Sequence, residues 1–380
     1  MIPLTIPNLT GNEARYLAQC IETTFVSSVG PFVERFETMV AEAAGSAQAV
    51  ATASGTTGLH VALVAVGVRP GDLVVLPSFT FIASANAIAH AGATPWLFDS
   101  DGASWTLDAE LLARTLAGET QPQDGGVVHK ASGRRVGAIL PVHTLGLPAD
   151  MDAIVTNARA LGLPVVADGA AALGATERGR PPGKLGADLT VFSFNGNKTV
   201  TSGGGGAVAG DDPALMKLVR HLTTTARTGE DYSHDRVGFN YRMTNLEAAV
   251  GCAQMERLAE FVAAKRRIRA TYDRALTGRP GVGLFPEPGR VQSACWFSGL
   301  TLAPPAPSPE RVRQVLREAS IETRPFWKPM HRQPPFADVP RTAMPVTDDI
   351  WKRILTLPCS THLTADDQAR VIAVLGEALA

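Results

Sequence analysis

A chain of 380 residues is long enough to bury a large core and to form more than one domain. With 45% hydrophobic and 19% charged residues and a formal net charge of −1, it has an enzyme-like composition and no basic excess for nucleic acid or anionic membranes. Any phosphate it handles must be held by a local site. The opening Met1-Ile-Pro-Leu-Thr has neither the basic head nor the apolar core of a signal peptide, and no apolar run reaches bilayer length, so a cytoplasmic protein is expected. Cys20, Cys252, Cys295 and Cys359 show no metal-ligand spacing and read as buried, reduced thiols.

Taken in chain order, the pattern predicts helix over 57–66, strand over 73–76, helix over 82–91 and strand over 94–98. A polar, Gly-containing surface excursion follows over 118–135, then strand over 137–142, helix over 151–161 and strands over 164–167, 189–194 and 207–209. This alternation predicts an α/β fold with a mostly parallel sheet covered by helices on both faces. Thr244-Asn-Leu-Glu247 is a capping box that opens one long helix running to Val262. Ser308 and Pro309 suit the N-cap and first position of a later helix. The expected division is a large domain over 1–255, with an N-terminal arm, and a smaller α+β domain over 256–380.

The densest chemical signal is Phe192-Ser-Phe-Asn-Gly-Asn-Lys198-Thr-Val-Thr-Ser-Gly-Gly-Gly-Gly206. A lone lysine in a loop is usually a solvated charge. At the end of a buried strand and beside glycines, it has room to condense with the carbonyl of a planar ring. Asp168 closes the apolar run Leu-Pro-Val-Val-Ala and either caps the next helix or faces the crevice at the sheet's carboxyl edge. Paired with Lys198, its job would be to keep a pyridine nitrogen protonated. Ser54-Gly55-Thr56-Thr57 precedes a helical pattern, a geometry that serves ordinary capping and phosphate binding alike. Phe81, after another strand, is either core or a ring-stacking wall.

In this order, these clusters resemble the DegT/DnrJ/EryC1/StrS sugar aminotransferases of fold type I, from Ile6-Pro-Asn-Leu-Thr through Gly238-Phe-Asn240 to Leu357-Pro-Cys-Ser. The resemblance implies pyridoxal 5'-phosphate as cofactor, with Lys198 as Schiff-base lysine and Asp168 on the ring nitrogen. It implies Gly55, Thr56, Thr57 and Ser193 at the phosphate, Phe81 on the ring, and Asn240 reaching the neighbouring subunit's cofactor in a homodimer. Lys198 would be the proton carrier, neutral in a desolvated site. Some relatives carry histidine at the lysine position and are dehydratases; the lysine here implies transamination.

One position departs from the family: Ala171 stands where many relatives have a polar residue, often Gln, three places after the aspartate. Leu76-Pro-Ser-Phe-Thr-Phe and Arg324-Pro-Phe-Trp-Lys-Pro-Met-His331 resemble a subgroup associated with legionaminic-acid-type sugars. That implies L-glutamate as donor and the 4-keto group of a UDP-linked 2-acetamido-2,6-dideoxy hexose as acceptor, for surface polysaccharide or glycoconjugate sugars. Arg324 and Lys328 are candidates for the diphosphate. His143 and His331 are candidate substrate contacts, with structural satisfaction the ordinary expectation for each. Another keto sugar or cyclitol, or a non-catalytic binding protein on the same scaffold, stays open. A nucleotide-binding oxidoreductase ranks lower, since no G-x-G-x-x-G follows a strand.

Overall fold

The computed structural model describes residues 1–123 and 125–380. Seven strands form the central sheet: β1 (Gln48–Thr52), β2 (Leu73–Pro77), β3 (Thr94–Phe98), β4 (Val136–Ile139), β5 (Val166–Asp168), β6 (Leu189–Ser193) and β7 (Gly206–Gly210). Their order is β1-β7-β6-β5 followed by β4-β2-β3, with parallel bridges Ile139–Val165 and Val142–Asp168 joining the two groups. β7 pairs antiparallel with β6 and β1, while β5–β6, β2–β3 and β2–β4 are parallel.

The helices of this half are α1 (Glu13–Glu22), α2 (Pro31–Ala44), α3 (Gly55–Ala65), α4 (Ile82–His90), α5 (Ala109–Glu119), α6 (Met151–Ala160) and α7 (Pro213–Thr223). Period-two alternation sends Val74 and Leu76 of β2 into a core with Leu59, Leu63, Ile88 and Met216. Leu73 and Val75 enter the opposite core with Trp96, Leu112, Met151 and Ile154. Burial on both faces is why the strands read as apolar runs. β1 escaped the sequence reading because Gln-Ala-Val-Ala-Thr is short, alanine-rich and open to a helical interpretation.

Two expectations needed revision. The excursion over 118–135 contains an antiparallel pair, Thr120–Gln123 with Gly126–His129; residue 124 lies outside the described residues. The single long helix is two, α8 (Asn245–Met255) and α9 (Leu258–Leu276), although its capping box is formed as expected. The break falls where polar side chains turn toward the N-terminal segment. Glu256 accepts from Tyr16 at 2.6 Å and from Asn12 at 2.7 Å, and Arg257 donates to Thr10 at 2.9 Å. Arg257 has φ −111° and ψ 9°, outside α-helical geometry.

Beyond α9, an antiparallel sheet β8-β9-β10 (Val282–Leu284, Ser298–Leu302, Ile354–Leu357) packs with α9, α10 (Pro309–Glu318), α11 (Pro345–Arg353) and α12 (Ala365–Ala378). Ser308 caps α10 by accepting from Arg311 N–H. Its core of Tyr272, Leu300, Leu316 and Leu375 also takes in Ile2 and Leu4 from the start of the chain. Leu4 N–H donates to Glu322 Oε2 at 3.0 Å, and Leu4 carbonyl accepts from Cys359 N–H at 2.7 Å. Among the described residues, no helix is long and apolar enough to cross a membrane.

Candidate active site

β5 and β6 are parallel neighbours, so Asp168 and Ser193 come out on the same carboxyl edge of the sheet, where α/β folds open a crevice. Here lies a cavity of about 480 Å³ lined by Gly55, Thr56, Phe81, Asp168, Ser193 and Lys198. Six of the eight residues expected at the site are thus brought together.

Thr57 is turned away from this cavity. Its hydroxyl accepts from Ser54 N–H at 3.0 Å and its own N–H donates to Ser54 Oγ at 3.1 Å, completing a capping box on α3. Ser54 lines the cavity instead. Asn240 is also absent from the lining: it borders a separate, open recess of about 560 Å³ with Ser28, Arg227 and Arg242.

The anion end is built by close backbone packing. α3 begins at Gly55, so the positive end of its dipole meets the cavity. A Cβ added at Gly55 would lie 2.9 Å from Ser193 Cβ, and one at Gly206 would lie 2.5 Å from the Ser54 carbonyl carbon. Glycine at both places lets β6, β7 and the helix start converge.

Asp168 is buried and tightly held. Oδ2 accepts from Ser84 Oγ at 2.7 Å and Oδ1 from Ala170 N–H at 3.0 Å, while Thr80 and Ser84 hydroxyls lie 2.9 Å apart. Burial pushes its carboxyl above the usual range, against the lowering effect of these donors and of Lys198.

Lys198 sits on the loop that leaves β6 and returns through Gly203, and it is part-exposed through the cavity. Burial of its amine pushes the pKa down to about 8, despite the opposing pull of Asp168. Nζ lies 3.7 Å from the centroid of the Trp296 ring. The indole N–H donates to Asn197 carbonyl at 2.8 Å, and Lys265 Nζ donates to the Trp296 carbonyl at 3.0 Å. Phe81 is 54% exposed on the cavity wall, with Trp327 6.1 Å away between ring centroids. Ala171 also lines the space and adds no polar side chain.

Trp296 and Ser84 went unassigned in the sequence. Ser84 lies three residues past Phe81 in a motif already singled out, and its place on a helix facing a strand end was the available signal. Trp296 is 98 positions from Lys198, and only the packing of the C-terminal half brings it there.

Arg324 lines the cavity, with a guanidinium that is mostly solvent-exposed and paired to Glu322 at 2.7 Å; Lys328 stands outside. His331 is fully engaged: Nδ1 meets Ser78 Oγ at 2.7 Å and Nε2 meets Asp348 Oδ1 at 3.1 Å. His143 differs, with a buried Nε2 that has no partner among the described residues.

Residues 7–376 match the DegT/DnrJ/EryC1/StrS aminotransferase family. The chain is 39% identical to a GDP-perosamine synthase of Caulobacter vibrioides, covering 100% of this chain and 98% of the relative. It is 34% identical to a GDP-perosamine synthase of Vibrio cholerae, covering 98% and 97%. Among solved structures, S. venezuelae DesV in complex with a ketimine intermediate superposes with a TM-score of 0.86 at 30% identity, over 96% of this chain and 94% of that one. The chain therefore belongs to the DegT/DnrJ/EryC1/StrS family of pyridoxal-phosphate-dependent sugar aminotransferases.

Proposed function

We propose that this chain binds pyridoxal 5'-phosphate in the cavity and moves the amino group of L-glutamate to the keto carbon of a nucleotide-linked sugar. The observation that carries this reading is the placement of Lys198 and Asp168 in one cavity with the N-terminus of α3. These residues fit the group. The glycine-lined convergence at Gly55 and Gly206 leaves room for phosphate beside Ser54, Thr56 and Ser193, Asp168 suits the ring nitrogen, and Phe81 offers a face to the ring.

When bound, the cofactor supplies an electron sink that makes the α-proton of the donor and the corresponding proton of the sugar labile. Lys198 moves that proton. With a pKa near 8 it carries a useful neutral fraction at physiological pH, and Trp296 limits where the free amine can go. Asp168, locked by Ser84 and Ala170, keeps its charge aimed at the ring nitrogen. Arg324 at the rim is the cation available to a diphosphate or a donor carboxylate.

For the acceptor we favour a UDP-linked 2-acetamido-2,6-dideoxy-4-keto hexose, on the sequence motifs around Phe81 and Arg324. A GDP-linked keto sugar is the second reading, supported by the GDP-perosamine synthases among the relatives. The test is incubation of the loaded protein with 15N-labelled L-glutamate and matched UDP- and GDP-linked keto sugars, read by mass spectrometry. A 15N-labelled amino sugar on one nucleotide decides between them; no labelled sugar and no 2-oxoglutarate would remove the reading.

We also propose a homodimer. Exposed Phe25, Val26 and Val29 are close in sequence to Ser28, and exposed Val237 to Asn240, both of which line that recess; apolar exposure there suits a buried subunit contact and would let Asn240 serve a neighbour's cofactor. Sedimentation velocity tests it.

A further inference from the structure

His143 follows β4 on the cavity wall and is 1% exposed. Its backbone N–H donates to the Asp168 carbonyl at 2.9 Å, fixing it against the end of β5. Its Nδ1 accepts the N–H of Ala149 at 3.2 Å, and a nitrogen that accepts carries no proton. Burial pushes the imidazole down to about 4, so the ring is neutral and its one proton resides on Nε2. That Nε2–H is buried and finds no acceptor among the described residues. His331, by contrast, has both ring nitrogens engaged, Nδ1 with Ser78 Oγ and Nε2 with Asp348. A buried donor left without a partner costs free energy, so the wall of a binding cavity is where such a group has a use.

Sheet order identifies what it would meet. β6, bearing Ser193, flanks β5 on one side together with the start of α3; β4 and His143 flank it on the other. A pyridoxal ring with its nitrogen at Asp168 and its phosphate beside Ser193 turns its opposite edge, which bears the phenolic oxygen, toward β4. We infer that His143 is the hydrogen-bond donor to the cofactor's phenolic oxygen, filling the role that Ala171 cannot. This rests on the reading that Lys198 and Asp168 hold pyridoxal phosphate. As a positioning residue, His143 stabilises the phenolate and so sets the ionisation of the lysine-linked chromophore.

The experiment compares wild type, His143→Leu and His143→Asn, each loaded with pyridoxal phosphate, by the pH titration of the visible band and by equilibrium dialysis. The leucine variant should raise the titration midpoint by about one unit or more and weaken cofactor binding by about tenfold. The asparagine variant, which keeps an N–H donor, should recover most of both. With 3-deoxypyridoxal phosphate, which lacks the phenolic oxygen, wild type and the leucine variant should bind equally. A loss in the leucine variant that is as large with the deoxy analogue overturns the inference, as does an unshifted midpoint. If leucine prevents folding, the asparagine variant carries the test: retention of the wild-type midpoint with pyridoxal phosphate supports the donor role, and loss overturns it. A wild type that takes up no cofactor overturns the reading of the whole site, a result distinct from any difference between variants.

Discussion

Lys198 Nζ stands 3.7 Å over the centre of the Trp296 ring, and Trp296 is pinned by its indole N–H donating to Asn197 and by its backbone carbonyl accepting from Lys265. In the proposed reaction, the contact would limit where the free amine can go. Trp296→Leu should lower kcat by about tenfold, the worth of a desolvated cation–π contact, while cofactor affinity stays near wild type. Single-turnover kinetics and dialysis measure the two separately.

Lys198→Ala should remove the visible lysine-linked band and lower transamination by at least about 10²–10⁴-fold, the usual worth of a positioned acid–base group. Cofactor held by Asp168 and the α3 turn should still co-purify in part. Absorbance spectra of both proteins after identical loading give the comparison.

The rate of cofactor capture should depend on pH with a definite sign. Condensation needs the neutral amine, so the second-order rate should climb as pH rises and level off above about 8. An amine with the ordinary value of 10.5 would keep accelerating past pH 9. Stopped-flow mixing with pyridoxal phosphate between pH 6 and 10 distinguishes the two profiles.

Asp168→Asn should act oppositely with and without cofactor. Burial raises the folded-state pKa of Asp168, so as pH rises through its unfolded value the unfolded chain releases its proton first and stability falls. The cofactor-free asparagine variant should therefore melt no lower than wild type at neutral pH. Its gain in Tm on adding cofactor should be much smaller, because losing a buried ionic partner typically costs about 3–5 kcal/mol. Thermal melts with and without pyridoxal phosphate read this directly.

Gly55→Ala should discriminate by phosphate. The new Cβ would crowd Ser193 at 2.9 Å, so affinity for pyridoxal phosphate should fall by tenfold or more while that for pyridoxal, which has no phosphate, should change little. Ser54→Ala removes the cap on α3 as well and should cost about 1 kcal/mol of stability.

Much of the sheet could be read from the chain because β2 through β6 are buried on both faces and stand out as apolar runs between helical patterns. β3 and the starts of α4 and α6 fell where the pattern put them. β1 and the break before Leu258 did not, since one depends on pairing with distant β7 and the other on side chains of residues 10–16. Around the site, local motifs exposed Lys198, Asp168, Ser193, Gly55 and Phe81. Thr57 lies outside the lining with its hydroxyl in the cap of α3, because capping and anion binding share one sequence pattern. The orphaned nitrogen of His143 was invisible: no local pattern reveals that a histidine lacks an acceptor.

The N-terminal arm has a consequence for biogenesis. Leu4 borders the cavity, yet its backbone is clasped by Glu322 and Cys359, residues made more than 300 positions later. A nascent chain can assemble the central sheet through β7 while this wall of the pocket is still missing. The segment around Leu4 must wait, untethered, until Glu322 and Cys359 have been made, so this wall of the pocket is a late closure in the chain's synthesis.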